Sequence, residues 1–321
     1  MTDARLSQAS AWIKNQETFS NCQITLLAGD ASFRRYFRLT DGANSYVLMD
    51  APPEKEDTTP FLRVSAWMQA AGLRTPQVLS QDQSLGFLIL EDFGDETWSL
   101  YFQSGKAIKP LFKDALQQLH KLQTHAALPE FPLFNIKRMQ TEINLYLDWY
   151  LPFVAKHTPT ESERQTFHDA LLPILTSIHA LPKAGVHLDY HSRNLMVPSH
   201  GLPLGVIDFQ DAVFGPITYD LASLLYDCYQ DYDETIRRHW SENFFTQLPL
   251  EHKAYFSNDF NIWHQALRRT ALQRHIKATG IFARLAYRDH KLQFLTEIPL
   301  TQKHMADELT ALELQIPFIN S

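Results

Sequence analysis

VHLDYHSRNLMVPSHGLPLGVIDFQ, residues 186–210, is the most informative part of this sequence. A histidine is followed two residues later by an aspartate and then, five residues further on, by an asparagine; a second aspartate ends a later apolar run. The apolar segments 195–197 and 204–207 flank a turn that contains proline and glycine, and this pattern predicts a short β-hairpin. Such a hairpin would return Asp208 to the side of Asn194.

This spacing is typical of phosphoryl transfer, which needs a base for the attacking hydroxyl and oxygen ligands for a metal ion. We predict that Asp189 is the catalytic base. We also predict that Asn194 and Asp208 bind Mg²⁺, an ion that takes few protein ligands and keeps several waters. The alternative is that Asn194 and Asp208 cap loops while His187 is a buried structural histidine. Because the motif and the predicted hairpin agree, the catalytic interpretation is favoured.

The motif with Asp208-Phe209 resembles the kinase-like phosphotransferases related to aminoglycoside phosphotransferases and choline kinases. The wider strings HSRNLMV and GVIDFQDAVFGPITYDLASLL resemble more closely the bacterial anomeric kinases of N-acetylmuramate and N-acetylglucosamine. GDASFRRYFRL near the start and LQRHIKATGIFARL at Leu272–Leu285 are also similar to that family. The resemblance covers nearly the whole chain, but it is strongest in a catalytic block that many kinases share.

The resemblance implies a two-lobed α+β fold of the protein-kinase-like type. A nucleotide-binding lobe with a small antiparallel sheet would occupy residues 1–92, and a larger, mostly helical catalytic lobe would occupy residues 93–321. The implied cofactors are ATP and Mg²⁺, and the implied reaction phosphorylates the anomeric hydroxyl of an amino sugar during cell-wall recycling. The sugar 1-phosphate would then pass to a sugar-1-phosphate nucleotidyltransferase.

The composition argues against several other classes of protein. A formal net charge of -7 is unusual for a nucleic-acid binder, which normally carries a basic excess. Cys22 and Cys228 are too few for a disulfide framework or a zinc site, and they fit a reducing compartment. The chain shows no secretory signal pattern and no apolar run long enough to span a bilayer. We therefore expect a cytoplasmic protein with no nucleic-acid or membrane partner.

The predicted third strand, SYVLM at residues 45–49, departs from the usual kinase pattern. Kinases carry on this strand a lysine that grips the phosphates and pairs with a helix glutamate. Here Met49 or Asp50 stands in that position, and the predicted helix that follows carries Arg63 instead of an inward glutamate. Because both partners are missing together, a rewired ion pair is favoured over random loss.

Residues 23–39 are predicted to form two strands joined by a turn of small residues. In a kinase-like fold this turn covers the nucleotide phosphates, so we predict that Ser32 and Arg35 contact the cofactor. Strand alternation places Arg34 and Arg38 on the face opposite Arg35. One of these arginines would replace the missing lysine; a solvated basic edge is the alternative.

The apolar strand predicted at residues 86–90 runs into the acidic segment EDFGD, which would connect the two lobes. The resemblance implies that adenine bonds the backbone there. We assign that contact to the carbonyl of Glu91 and the N–H of Phe93. An acidic surface turn is the alternative.

Several further residues near the motif or in the last third of the chain are candidate ligands. His191 stands where protein kinases carry a lysine that touches the γ-phosphate, so it is predicted to bind the cofactor. Arg193 is predicted to contact phosphate or substrate, with a loop-stabilising role equally open, and Asp211 to meet a sugar hydroxyl or a second metal. Arg274 would bind the carboxylate of N-acetylmuramate. Asp220 is expected to satisfy backbone donors at the start of a helix.

Two other functions stay open. The first is another small-molecule kinase, acting on an aminoglycoside, choline or homoserine, and the acidic residues between 227 and 234 would suit a cationic aminoglycoside. The second is a nucleotide-binding pseudokinase, which the missing lysine favours and the complete set of Asp189, Asn194 and Asp208 opposes. Runs of charged residues usually form solvated faces of a protein. Neither these acidic residues nor the cationic region of the last third therefore decides the substrate; that region contains Arg268, Arg269, Arg274, His275 and Lys277.

Overall fold

A computed structural model gives the structure of the protein and describes residues 3–29, 33–42, 44–198 and 201–319. The amino-terminal part is a five-stranded sheet in the order β1-β2-β3-β5-β4, with every neighbouring pair antiparallel. Its strands are β1 Gln23–Gly29, β2 Arg35–Asp41, β3 Asn44–Asp50, β4 Val78–Asp82 and β5 Phe87–Glu91. The sequence does not predict β4, because this edge strand, VLSQD, is half polar and only partly buried.

The two faces of the sheet pack against different helices. Helix α1, Ala4–Lys14, covers the outer face, where Phe37 and Leu48 join Trp12 in a small core. Helix α2, Thr59–Ala70, covers the inner face, where Met49 lies in a larger core. Because strand residues alternate between faces, this arrangement decides which side chains can reach the space beneath the sheet.

The outer face contains a buried carboxylate, Asp50, at the end of β3. Arg5 donates to its Oδ1 through Nε at 3.1 Å, and Arg35 donates to its Oδ2 through Nη2 at 2.6 Å. Arg35 also pairs with Asp3, which caps α1. These pairs satisfy the buried charge and tie α1 to the sheet.

The carboxyl-terminal part is mostly helical. Its helices are α3 Trp98–Gln103, α4 Lys109–Thr124, α5 Ile136–Leu145, α6 Leu151–Phe153, α7 Glu161–Ala180, α8 Tyr219–Leu225, α9 Glu234–Gln247, α10 Leu250–Tyr255, α11 Phe260–Tyr287 and α12 Ile298–Leu312. A π-helical turn, Tyr146–Tyr150, connects α5 to α6, and a 3-10 helix, Leu292–Glu297, precedes α12. None of the helices in the described ranges is long and apolar enough to cross a membrane.

Two short antiparallel pairs hold the informative segment against the helices. Strand β6, Lys183–Val186, pairs with β9, Val213–Pro216, and β7, Leu195–Met196, pairs with β8, Gly205–Val206. The predicted hairpin is therefore present, although its strands are shorter than the sequence suggests. The antiparallel sheet followed by a helical region confirms the predicted α+β class, and the lobe boundary at residue 92 stays a prediction.

Helix α11 is the 28-residue centre of the helical part. It packs against α5, the π-helical turn, α8 and α12. Gly280 permits the closest of these approaches: a Cβ built on it would lie 2.4 Å from the backbone carbon of Leu145 and 2.5 Å from the backbone nitrogen of Tyr146. The absence of a side chain at Gly280 thus sets the distance between α11 and the end of α5.

We expect Gly280→Ala to lower the free energy of unfolding by roughly 1–3 kcal/mol, because the added methyl group meets backbone atoms that cannot move independently. Thermal and urea denaturation followed by circular dichroism would measure the change. Ala278→Ser, at a partly exposed position of the same helix, is the control and should stay close to wild type. A Gly280→Ala protein as stable as wild type would contradict the close packing described here.

Candidate active site

The loop between β6 and β7 carries Asp189 and is fixed to the next hairpin by His187. The His187 Nε2 lies 3.0 Å from the carbonyl oxygen of Ile207, and its Nδ1 accepts the N–H of Asp189 at 3.2 Å. A ring that accepts at Nδ1 must carry its proton on Nε2, so one neutral tautomer satisfies both bonds. His187 is buried and joins Asp189 to the strand end before Asp208, which is the structural role that the sequence suggests.

Asp220 holds the same loop from below. Its carboxylate accepts the N–H groups of His187 at 2.8 Å and Leu188 at 3.0 Å, and it is completely buried. Burial raises its pKa to about 6, although the neighbouring cations and the two N–H donors act in the opposite direction. Asp220 does satisfy backbone donors, as expected, but these donors belong to the loop rather than to its own helix α8.

A second buried aspartate, Asp227, was not predicted to have this role. It accepts the N–H of Ser192 at 2.7 Å and the N–H of Tyr229 at 2.8 Å. The sequence suggests only that it belongs to an acidic patch, because the distance of 35 residues between Ser192 and Asp227 gives no local signal. The catalytic loop is therefore held by carboxylates at both of its ends.

The structure brings Asp189, Asn194 and Asp208 together. Asn194 donates through Nδ2 to the carbonyl oxygen of Asp189 at 3.0 Å, and the same nitrogen lies 3.4 Å from Oδ2 of Asp208. Asp208 has a left-handed backbone with φ of 62°, and Gln210 donates to its Oδ1 at 3.0 Å. The strained conformation at Asp208 is typical of functional sites.

This arrangement fits a hard divalent cation. Among the described residues, the side-chain Oδ1 of Asn194 accepts no hydrogen bond, so it is available as a ligand beside the carboxylate of Asp208. The residues that the structure describes contain no cluster of three histidine, cysteine or acidic side chains suited to a metal. One amide oxygen and one carboxylate suit an ion such as Mg²⁺, which completes its shell with water and phosphate oxygens.

A cavity of about 350 Å³ lies between the five-stranded sheet and the β7–β8 hairpin. Its apolar walls come from both sides, and the predicted metal ligands are among the residues that line it. The lining residues are Leu27, Tyr36, Val47, Phe61, Pro76, Leu90, Glu91, Asp92, Phe93, Gly94, Asn194, Met196, Ile207, Asp208 and Phe209. A mostly apolar cavity that contains two predicted metal ligands is suited to a nucleotide base.

Glu91 and Phe93, in the predicted lobe-connecting segment (the hinge), line this cavity. The Glu91 carboxylate pairs with Arg74 at 2.6 Å, and the Arg74 guanidinium lies 4.2 Å from the centre of the Phe93 ring. Phe93 packs directly on Gly205 of β8, where a Cβ would lie 2.4 Å from the ring. The side chains of Glu91 and Phe93 therefore contact other parts of the protein.

The three arginines of the β1–β2 region have different partners. Arg35 is not among the residues that line the cavity, since strand alternation puts it on the outer face, where Asp50 binds it. This position does not favour the predicted contact of Arg35 with the cofactor, which stays a prediction. Arg38 is bound by Asp92 at 2.7 Å and by Asp95 at 2.7 Å, next to the hinge. Ser32 lies outside the described residues.

Arg34 lies on the α2 side of the sheet. Its Nε is 3.9 Å from Oε2 of Glu56, and only 11% of its side chain is exposed. Met49, in contrast, is completely buried on the inner face and carries no charge. The ion pair that kinases make between a strand lysine and a helix glutamate is thus absent at its usual place, while Arg34 and Glu56 offer a cation and an anion nearby.

Cations from α11 surround the predicted base. Burial acts to raise the pKa of Asp189, but the nearby positive charges, of which Lys277 contributes most, outweigh burial and hold this pKa below its ordinary value. Arg274, a predicted substrate residue, is also close enough to lower it. Lys277 belongs with Arg274 to the cationic region of the sequence, but the sequence analysis gives it no role of its own. The available signal was its spacing of three residues from Arg274, which places both on one helix face.

The other predicted ligands lie around the same loop. His191 is half-buried at the edge of the Tyr229 ring; its Nδ1 is buried without a partner within the described ranges, and desolvation lowers its pKa. The guanidinium of Arg193 lies 3.6 Å from the centre of the same ring and pairs with Glu297 before α12. Asp211 is exposed next to Gln210.

The fold is shared with solved structures of low sequence identity. An ADP-bound aminoglycoside phosphotransferase, APH(2'')-Ib, superposes with a TM-score of 0.62 at 18% identity, covering 96% of this chain and 99% of that chain. A choline/ethanolamine kinase family protein from Mesorhizobium loti superposes with a TM-score of 0.63 at 16% identity, covering 98% and 96%. These similarities confirm the predicted kinase-like fold.

Two curated relatives are similar along nearly their whole length. An N-acetylmuramate/N-acetylglucosamine kinase of Neisseria meningitidis serogroup B is 37% identical over 298 residues, covering 90% of this chain and 86% of that protein. One of the same name from Pseudomonas aeruginosa is 35% identical over 315 residues, covering 92% and 90%. The sequence profile described as the phosphotransferase enzyme family matches residues 23–255. The predicted enzyme class is thereby confirmed, and the chain belongs to the phosphotransferase enzyme family.

Proposed function

We propose that the protein is an ATP-dependent sugar kinase that phosphorylates the anomeric hydroxyl of N-acetylmuramate, N-acetylglucosamine or both. The observation that carries this proposal is the juxtaposition of Asp189, Asn194 and Asp208, of which Asn194 and Asp208 line the cavity. The names of the curated relatives supply the acceptor.

In the proposed complex the adenine ring occupies the apolar part of the cavity, bonded to the backbone of Glu91 and Phe93. Asn194 and Asp208 hold Mg²⁺, which when bound neutralises the charge of the phosphates. His191 contacts the phosphates from the catalytic loop. The assignments of Glu91, Phe93, Asn194 and Asp208 are supported by their place in the lining of the cavity, and that of His191 by its place on the catalytic loop.

Asp189 orients the acceptor hydroxyl. Its lowered pKa keeps the carboxylate ionised at neutral pH, so it can accept a hydrogen bond from that hydroxyl. An anomeric hydroxyl is more acidic than an ordinary alcohol, and Asp189 therefore needs to receive the proton only late in the reaction. Arg193 and Asp211 are the proposed further contacts of the sugar.

The acidic residues that would suit an aminoglycoside are occupied within the protein. Asp227 binds the catalytic loop, Asp231 pairs with Lys303, Asp233 caps α9, and Glu234 pairs with Arg268 at 2.5 Å. No open carboxylate patch remains among them, which supports a neutral or anionic acceptor over a cationic one. The complete catalytic set supports an enzyme over a pseudokinase.

The proposed product is a sugar 1-phosphate. Its use by a sugar-1-phosphate nucleotidyltransferase, a part in cell-wall recycling and a cytoplasmic location are further elements of the proposal. They follow from the chemistry of the product and from the resemblance in sequence, and each depends on the reaction itself.

Asp189→Asn should lower kcat by about 1,000-fold or more, since an amide can orient the hydroxyl but cannot receive its proton. The dissociation constant for Mg-ATP, measured by titration calorimetry, should stay unchanged. Asp169→Asn, an exposed aspartate on α7, is the matched control. Near-normal turnover by Asp189→Asn would refute the assigned role.

We assign the role of the missing strand lysine to Arg34, which would bind a phosphate of ATP. Arg34→Gln should therefore raise the KM for ATP by roughly 10- to 100-fold, the effect of losing one charge-assisted contact to phosphate. Arg35→Gln, which removes an adjacent arginine on the outer face, should lower the melting temperature and leave the KM for ATP near wild type. Steady-state kinetics at saturating acceptor would measure both. The assignment of Arg34 fails if the two variants exchange these phenotypes or if Arg34→Gln is silent.

The reaction itself is tested by ATP turnover with N-acetylmuramate, N-acetylglucosamine, kanamycin, choline and homoserine, followed by phosphorus NMR of the product. We expect an acid-labile phosphate on the anomeric carbon of at least one amino sugar. Turnover with another acceptor alone would retain the mechanism and reject the sugar. Tight binding of Mg-ATP without any turnover would instead support a pseudokinase.

A further inference from the structure

Arg274 is a buried cation on α11. Only 5% of the residue is exposed, and its Nε and Nη1 are buried without hydrogen-bond partners among the residues that the structure describes. It makes no ion pair within these ranges; its guanidinium lies 5.4 Å from the centre of the Tyr219 ring. A buried guanidinium with orphaned donors is costly unless something binds it.

Lys277, three residues further along α11, makes only long contacts with the residues that the structure describes. Its nearest carboxylate is Glu142 at 3.7 Å, and Glu142 already accepts a closer bond from Gln273 at 2.9 Å. Its other contact is the hydroxyl of Tyr219 at 3.4 Å. Burial acts to lower the pKa of Lys277, but Glu142, Tyr219 and Asp189 together raise it above its ordinary value, so the side chain is positively charged.

The two cations converge on one place. They are three residues apart on α11, and both lie against Tyr219: the guanidinium of Arg274 is 5.4 Å from its ring centre, and Nζ of Lys277 is 3.4 Å from its hydroxyl. The next residue, Asp220, accepts the N–H groups of His187 and Leu188, directly before Asp189. On the same loop, the half-buried His191 has an Nδ1 without a partner in the described part of the chain. Donors from two elements, α11 and the catalytic loop, therefore lie near the predicted base.

The identity of the bound anion follows from comparing the two proposed acceptors. N-acetylmuramate carries a carboxylate, whereas N-acetylglucosamine carries none. Cations that served only the carboxylate would remain uncompensated with the second sugar, at a cost in binding. The anion common to both reactions is the phosphoryl group that moves from ATP to the sugar.

We propose that Arg274 and Lys277 bind the oxygens of the transferred phosphoryl group on its acceptor side. The inference rests on the proposed kinase function and deepens it. In the step, the bond between the γ-phosphorus and the oxygen of the β-phosphate breaks, and a bond forms between that phosphorus and the anomeric oxygen. The proton of the hydroxyl passes to Asp189, and ADP leaves with the electron pair of the broken bond.

Receipt of this proton removes the negative charge of Asp189 while the phosphoryl group arrives beside the two cations. Arg274 and Lys277 then face the new phosphate as their counter-charge. Fixed positive groups directed at charge that is present during transfer stabilise the transition state more than the ground state. Because the strand lysine that would bind the phosphates of ATP is absent, a larger share of the charge stabilisation is expected from Arg274 and Lys277 on the acceptor side.

The first test measures anion binding and needs no turnover. The affinity of inorganic phosphate is determined by calorimetry in the presence of Mg-ADP, for wild type, Lys277→Gln and the conservative variant Arg274→Lys. We expect Lys277→Gln to weaken phosphate binding by about tenfold, the value of one charged contact. Lys137→Gln, an exposed lysine on α5, is the matched control. Equal phosphate affinity in wild type and Lys277→Gln would overturn the proposal, whatever the acceptor proves to be.

The second test separates phosphate from carboxylate. Lys277→Gln should lower kcat by about 100-fold with N-acetylmuramate and by a similar factor with N-acetylglucosamine, with little change in either KM. Lys277→Arg should recover part of the rate with both sugars. A loss confined to N-acetylmuramate and expressed in its KM would overturn the proposal in favour of a carboxylate subsite. If wild type phosphorylates neither sugar, the sugar-kinase function fails, and the phosphate titration alone decides the inference.

Discussion

The buried carboxylate of Asp220 is the constraint on which the site depends. By accepting two consecutive N–H groups, it fixes the loop at Leu188, whose backbone is left-handed with φ of 80°. That conformation directs His187 toward Ile207 and orients Asp189. One residue in α8 thus positions the predicted base and, through His187, the strand end that carries Asp208. A buried carboxylate tolerates its desolvation only when donors satisfy it, so the loop and Asp220 stabilise each other.

The distribution of charge differs from that of a kinase with the usual lysine–glutamate pair. In the amino-terminal lobe, Arg35 is bound by Asp50 on the outer face and Arg38 is bound by Asp92 at the hinge. The cations that lack strong counter-ions lie instead in the helical lobe, on α11. If the cations on α11 bind the phosphoryl group, as proposed, the usual strand lysine and helix glutamate can be absent together while the catalytic carboxylates remain.

Helix α11 links stability to the site. The charges of Arg274 and Lys277 act on Asp189 in the catalytic loop. Three residues further along α11, Gly280 lets the backbone at the start of the π-helical turn approach closely. The close approach of α5 also brings Glu142 to the vicinity of Lys277. The same helix face therefore determines both the packing of the helical lobe and the electrostatic environment of Asp189.

The sequence by itself determined the local elements and the central catalytic set. The spacing of Asp189, Asn194 and Asp208, with a hairpin between the last two, depends on short segments whose geometry the turn residues encode. Only the tertiary structure decided the parts that depend on distant residues. The sequence could not show that Asp50, buried under α1, binds Arg35 on the outer face of the sheet. The individual roles of Asp227 and Lys277 were also hidden in the sequence. Asp227 binds a loop 35 residues away, Lys277 acts on Asp189 through its charge, and neither interaction leaves a periodic pattern in the chain.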